Sequence, residues 1–267
     1  MLPCYYRRWA AARLYGLKGW TDLWGMQQIF AGIGSQGAED AWMNLCVEME
    51  SMQLHRTDFC GGAVDIAKCF DQISRHLLYR LAAVAGMPKG ILTAYKNFQE
   101  DLVVYNTIAR GIGKPYSRRC GIPQGDPLSM MMVALMMRPW VSLMLYLGLS
   151  PWILADDILL MAFGPDMLAS FANGMHATHL YIRAMGAKLA PSKSYNFAST
   201  LKARKWLATT RWPSIPGPVA ILNDFRYLGA HISVTGKKTG RTIKDRFRKA
   251  TAMLRKLASM PISIGNN

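Results

Sequence analysis

The string LADDILL, residues 154–160, sets two like charges inside an apolar run: Trp152, Ile153 and Leu154 lead into Asp156 and Asp157, and Ile158, Leu159, Leu160 and Met161 follow. Such a run, with no turn signal inside it, reads as a β-hairpin or strand in buried surroundings. Many carboxylate pairs simply mark the solvated end of a strand, and for an isolated pair that is the ordinary reading. The flanks argue against it here. Adjacent carboxylates that are poorly hydrated repel each other and need a counter-charge, a metal cation first of all. A third carboxylate from elsewhere in the chain would complete such a site.

With 267 residues, 51% of them hydrophobic, the chain can build a real core as one large domain or two small ones, which excludes a disordered tail. The five cysteines, Cys4, Cys46, Cys60, Cys69 and Cys120, show neither a CxxC nor a Cys/His spacing for zinc or a disulfide framework. Reduced thiols in an intracellular compartment, nuclear or cytoplasmic, are therefore expected. The start, MLPCYYRRWAAARLYG, has charges where a secretory signal needs its hydrophobic region. The most apolar window, Trp140 to Leu154, contains Pro151 and is too short for a membrane span, so no membrane partner is expected.

The net charge of +16 is unevenly placed. Residues 183–256 hold 17 lysines and arginines against Asp224 and Asp245, whereas residues 1–182 hold 15 basic and 14 acidic side chains. A merely soluble surface mixes the signs, so this stretch favours a polyanionic partner such as nucleic acid, with a membrane surface or a chance excess as the less economical readings.

Helical spacing covers residues 5–15 and 39–54, and the Gly-rich GIGSQGAED between them leads into the second helix with Glu39 and Asp40 in its first turn. Gly61 to Ile73 begins as a strand, carries Asp65 near the strand's end, and turns into a helix over 74–85. A helix at 88–99 follows, then one or two strands around a basic turn in LVVYNTIARGIGKPYSRRCGIPQG. In DPLSMMMVALMM, Asp126 suits a helix N-cap and Pro127 the first helical position, and the methionines suit ordinary core packing. Beyond the acidic pair come a helix at 166–185, a turn and strand in GAKLAPSKSYNF, and one further strand in FRYLGAHIS. From Arg241 to Leu257, Ile243, Phe247, Ala250, Leu254 and Leu257 form one face of a basic amphipathic helix. Helices alternating with mostly antiparallel strands, without regular βαβ spacing, predict an α+β fold.

Asp65 and Asp156 lie near the end or tip of apolar strands, and two such strands side by side would gather a carboxylate cluster. Carboxylate oxygens suit magnesium or manganese. A pair of such ions lowers the pKa of an attacking hydroxyl and stabilises a departing pyrophosphate. Together with a basic track, this makes nucleotidyl transfer the economical chemistry.

Five strings carry a family resemblance. VDIAKCFDQI, GIPQGDPLS, LADDI, LAPSKS and FRYLGAHI resemble, in this order, the successive blocks of the reverse transcriptase palm as found in non-LTR retrotransposons and group II intron proteins. A DD pair is weak by itself, but PQGDPLS is a specific string and the order of all five is kept. The resemblance implies a palm over 60–235 with an antiparallel sheet backed by helices, partial fingers over 1–59, and the start of a thumb over 236–267. It implies an RNA-directed DNA polymerase that extends a DNA primer on an RNA template with dNTPs, using two Mg2+ or Mn2+ ions. Asp65, Asp156 and the backbone carbonyl of Ile66 would hold metal, with Asp157 as a nearby, less essential carboxylate. Phe70 would lie under the sugar and disfavour a 2′-hydroxyl. Gln124 and Gly125 would form the turn against the incoming nucleotide, and Lys193 would neutralise or protonate the departing pyrophosphate. Without the resemblance, Phe70 reads as core packing and Lys193 as a surface lysine; Asp71 reads as support for the local turn.

The chain also departs from the family's pattern. YRRWAAARL and FAGIGSQGAEDAW resemble the end of the fingers, but Ser35, Gln36 and Gly37 stand where an arginine is usual before Ser/Thr. Leu154 replaces the usual aromatic before Ala-Asp-Asp, which is expected to alter primer positioning without removing a metal ligand. The basic fingers strand that grips the triphosphate has no counterpart, nor does any endonuclease, RNase H or zinc-knuckle segment, so the chain reads as a fragment. The rival reading is a truncated, inactive retroelement relic that only binds nucleic acid through residues 183–256. An RNA-dependent RNA polymerase is disfavoured by Phe70 and PQGDPLS. The oligomeric state stays open.

Overall fold

The computed structural model describes residues 2–34, 36–212, 219–235 and 240–259. Ser35 of the fingers-like string, and residues 236–239 and 260–267 of the C-terminal segment, lie outside them. The chain begins with α1 (Cys4–Gly16), α2 (Lys18–Trp24) and α3 (Ala38–Leu54). α2 is unexpected, since its seven residues are under two turns and too few to show a period. α3 starts where the Gly-rich string ends, and the Asp40 carboxylate accepts the Gly37 N–H at 2.8 Å.

Next come β1 (Phe59–Ala67), α4 (Cys69–Gln72), α5 (Arg75–Val84) and α6 (Lys89–Asp101). A ribbon of four two-residue strands follows, β2 (Val103–Val104), β3 (Thr107–Ile108), β4 (Gly111–Ile112) and β5 (Tyr116–Ser117), before α7 (Ser129–Tyr146). The hairpin β6 (Ser150–Leu154) and β7 (Asp157–Phe163) leads to α8 (Met167–Ala184), β8 (Lys188–Leu189), a 3-10 turn at Pro191–Lys193 and β9 (Tyr195–Ala198). The chain continues with α9 (Leu201–Thr209), β10 (Ala220–Ile221), β11 (Asp224–Tyr227), β12 (Ala230–Ser233) and α10 (Arg241–Ala258).

The main sheet runs β10-β9-β1-β7-β6, with β8 on the far end of β1. β1 is antiparallel to both β7 and β9, and the short β10 is parallel to β9. An α+β architecture with an antiparallel sheet backed by helices is therefore what the chain adopts. Successive side chains of β7 turn to opposite faces. Ile158, Leu160 and Ala162 join a core with Val64, Ile66, α7 and α8, while Leu159 and Met161 join a second cluster with Phe59, Trp152, Leu45 of α3 and Phe225 of β11. Burial on both faces explains why the run around the acidic pair does not alternate. Gly61 and Gly62 let β1 sit this close to its neighbours: a Cβ on Gly61 would lie 2.7 Å from the Leu160 carbonyl oxygen and 2.5 Å from the Phe197 ring. The β6 edge is partly covered by residues 28–30, where the Phe30 N–H donates to the Ile153 carbonyl and the Ile153 N–H to that of Gln28.

Several local expectations change. α7 starts at Ser129, so Asp126 is not its N-cap. The Asp126 carboxylate is buried instead, accepting the Leu128 N–H at 3.0 Å on one oxygen and the Tyr6 hydroxyl at 2.9 Å and Gln99 Nε2 at 3.1 Å on the other. It ties α1 and α6 to the start of α7. FRYLGAHIS forms the hairpin of β11 and β12 rather than one strand, because Leu228 and Gly229 both take positive φ and reverse the chain. α9 and β10 are additional elements. Among the described residues α7 alone is long and apolar enough to cross a membrane, but 61% of it is buried inside the protein, as befits a core helix. α10 has the expected amphipathic pattern, yet none of its residues is buried.

Candidate active site

The register of β1 against β7 sets Asp65 directly opposite Asp157. Leu154 also pairs with Asp157 across the β6–β7 hairpin, leaving Ala155 and Asp156 as a two-residue turn. Ala155 has φ +58°, a left-handed conformation that costs a non-glycine residue about 1 kcal/mol. The two neighbours of the acidic pair thus differ in setting: Asp156 is held at the turn's tip and Asp157 opens the strand. Leu154 is partly buried against the second apolar cluster.

The fourth block is clamped onto Asp65 through the backbone. The Ala190 N–H donates to the Asp65 carbonyl at 2.9 Å, and the Asp65 N–H donates to Ser194 Oγ at 3.3 Å. The 3-10 turn between these two contacts brings Lys193 Nζ to 3.5 Å from Asp65 Oδ2. With the lysine side chain 71% exposed, this ion pair contributes less than about 1 kcal/mol to stability. Its consequence is placement of a cation beside the carboxylates.

The carboxylates act on one another. Asp157 has an open face, but the protein packed on its other sides strips water from it, and that loss, followed by the charges of Asp156 and Asp65, raises its pKa above the ordinary value; Lys193 partly offsets this. The Cys69 thiol is pushed up to about 12 by burial first, then by the charges of Asp156 and Asp65. Both aspartates thus lie within electrostatic reach of the same thiol. Carboxylate oxygens suit a hard divalent cation, and a thiol held neutral does not compete for it. Among the described residues, however, no three His, Cys, Asp or Glu side chains form a metal-binding group by themselves. A backbone donor such as the Ile66 carbonyl, next after Asp65 on β1, would have to join the carboxylates.

The second block is strung on the turn that follows Asp65. The Ile122 N–H donates to the Phe70 carbonyl and the Gly121 N–H to that of Ile73, each at 2.8 Å. Gly121 has φ +80°, and a Cβ there would lie 2.7 Å from the Asp71 carbonyl oxygen, so only glycine fits. Phe70 is half-buried and packs on the main core. Gln124 and Gly125 form an exposed turn, with Gly125 at φ +84° in open space, so its glycine serves conformation rather than packing. The Asp71 carboxylate accepts from Arg118 Nη1 at 3.0 Å, a partner 47 positions away rather than one in its own turn.

The hairpin of β11 and β12, formed by the fifth block, adds Arg226 and Tyr227, to which the sequence assigned no role at the site. A cavity of about 150 Å³ beside the carboxylates is lined by Asp65, Asp157, Lys193, Tyr195, Arg226 and Tyr227, among others. Burial and the Asp157 charge raise the pKa of both tyrosines. The Leu228–Gly229 turn was the available signal for this hairpin. A larger cavity of about 490 Å³ opens between β12 and α10, lined by His231, Arg241, Lys244, Asp245 and Arg248.

The family model described as reverse transcriptase (RNA-dependent DNA polymerase) matches residues 31–232, three quarters of the chain. No curated protein matches the sequence. The fold is similar to that of apo telomerase from Candida tropicalis truncated from its C-terminal domain, with TM-score 0.56 and 16% identity over 86% of this chain and 43% of that one. It is also similar to telomerase from Candida albicans in complex with a TWJ fragment of telomeric RNA, with TM-score 0.58 and 14% identity over 88% of this chain and 38% of that one. The chain thus spans well under half the length of these structures.

Proposed function

The chain belongs to the reverse transcriptase (RNA-dependent DNA polymerase) family, and from that premise we propose that it extends a DNA primer with dNTPs on an RNA template, as a retroelement-type polymerase core with Asp65 and Asp156 at its centre. The observation that carries this reading is the meeting of three blocks: Asp65 faces Asp157 across β1 and β7, Asp156 caps the adjoining turn, and Lys193 stands 3.5 Å from Asp65. Two Mg2+ or Mn2+ ions, held by Asp65, Asp156 and the Ile66 carbonyl, would supply the charge that activates the primer hydroxyl and stabilises the departing pyrophosphate.

The chain's own groups do the rest. Lys193, whose exposed ammonium pairs with Asp65, neutralises or protonates the departing pyrophosphate. Phe70 closes the space a 2′-hydroxyl would need. Gln124 and Gly125 present an open turn to the nucleotide base and template. Asp157 adds negative charge without being indispensable. The basic segment 183–256, with Arg241, Lys244 and Arg248 around their cavity, takes the phosphates of the template and primer. RNA as a partner accords with the telomeric RNA fragment bound by the similar telomerase.

Primer extension with purified protein in Mg2+ or Mn2+ tests the reading: templated incorporation of dNTPs, well ahead of rNTPs, is expected. The rival reading, a relic that only binds nucleic acid, draws on the absence of a three-side-chain metal group among the described residues. Salt-sensitive RNA binding with no incorporation of either nucleotide would select the relic.

A further inference from the structure

The ribbon between α6 and α7 has no part in the reading above. Its strands pair Val103 with Ser117, Val104 with Tyr116, Thr107 with Ile112 and Ile108 with Gly111. Ala109 and Arg110 turn the chain at its tip, both with positive φ. No residue from Val103 to Cys120 is buried. A two-stranded ribbon without a core is marginal in water, so this one is held from its base. The Arg75 guanidinium donates to the carbonyls of Gln99 and Arg118, at its two feet. Arg118 pairs with Asp71, and the segment then runs directly into the Gly121–Gly125 stretch hung on the Asp65 block. The arm is free along its length and fixed at the edge of the candidate active site.

Two features of the arm point to what it holds. From Val103 to Gly125 the sequence has four basic residues, Arg110, Lys114, Arg118 and Arg119, and no acidic one. Two tyrosines lie among them, Tyr105 and Tyr116, 54% and 40% exposed. Cations alone would suit any polyanion, but exposed rings add something only where base faces are open. In a duplex those faces are already stacked, whereas unpaired bases stack on aromatic side chains with little regard to sequence.

We propose that the 103–119 ribbon binds single-stranded nucleic acid, with Tyr105 and Tyr116 stacking on unpaired bases and Arg110 and Lys114 on the phosphates. The assignment of that strand as the unpaired RNA template next to the Gln124–Gly125 turn rests on the polymerase reading; the preference for unpaired strands does not.

Fluorescence anisotropy with a labelled single-stranded RNA and a blunt RNA–DNA duplex tests it on the full chain. For Tyr105→Ala/Tyr116→Ala the single-strand Kd is expected to rise about tenfold or more, and the duplex Kd to change less than about twofold. For Arg110→Gln/Lys114→Gln the slope of log K against log salt on the single strand is expected to shrink by about 1.4. The duplex also serves as a check that each variant is folded. An unchanged single-strand Kd, or an equal loss on both ligands, overturns the proposal. So does a wild-type dimer that Ile108→Ser/Ile112→Ser dissolves, since the ribbon would then belong to a second copy. If the wild type incorporates no nucleotide while the tyrosine pair still governs single-strand binding, the polymerase reading falls and the binding site stands.

Discussion

The β1–β7 pair and the 103–117 ribbon are both antiparallel and both adjoin the candidate site, yet they are stabilised in different ways. β1 and β7 make seven cross-strand pairs, from Phe59↔Phe163 to Asp65↔Asp157, with apolar side chains buried on both faces. The ribbon makes four pairs and buries nothing, and the guanidinium of Arg75 and the ion pair of Arg118 hold its base. The difference teaches a division of labour. Carboxylates that must stay put sit at the end of a strand pair with no freedom to move, and groups that must meet a variable strand sit on an arm with no core to disturb.

The largest effect that could break this comparison is expected at Gly61. Gly61→Val would force a side chain against the Leu160 carbonyl and the Phe197 ring and is expected to cost about 3 kcal/mol or more, read as a lower urea midpoint. A smaller effect, of opposite sign, is expected at Asp157. Its carboxyl has a raised pKa in the folded chain, so the folded state favours the protonated form. That contribution is full below the unfolded pKa and is lost as pH rises through the folded one. Asp157→Asn is therefore expected to raise the Tm at neutral pH by no more than about 2 °C, since water at the open face screens the repulsion, and the gain should vanish at pH values below the ordinary 3.8. The smallest effect is expected on the ribbon, where Ile112→Ser should move the midpoint by less than about 0.5 kcal/mol. A large loss there would show that the ribbon has a core after all.

Much of the fold was legible wherever the signal was local. The run around Asp156 and Asp157 is the hairpin its apolar flanks imply, the methionines of α7 other than the exposed Met130 are core, and Asp65 lies near the end of its strand. What escaped depended on distant partners. Asp126 looks like a helix cap because only the chain next to it is visible in a string, whereas its carboxylate is taken by Tyr6, 120 positions away, and by Gln99. α2 and β10 are too short to show a period. FRYLGAHIS is regular enough for one strand, and the reversal rests on a single Leu228–Gly229 turn. Asp65 facing Asp157 depends on register, which no spacing within one strand reveals. The ribbon had a basic turn as its signal, but nothing in its string tells that every side chain would stay outside.

The division between the two aspartates of LADDILL is the centre of the account, and single-nucleotide primer extension on an RNA template measures it most directly. Rates for Asp65→Ala and Asp156→Ala are expected to fall at least about a thousandfold, and for Asp157→Ala only about tenfold, with template binding unchanged in all three. Undiminished synthesis in Asp65→Ala or Asp156→Ala, or a loss confined to Asp157→Ala, would contradict it.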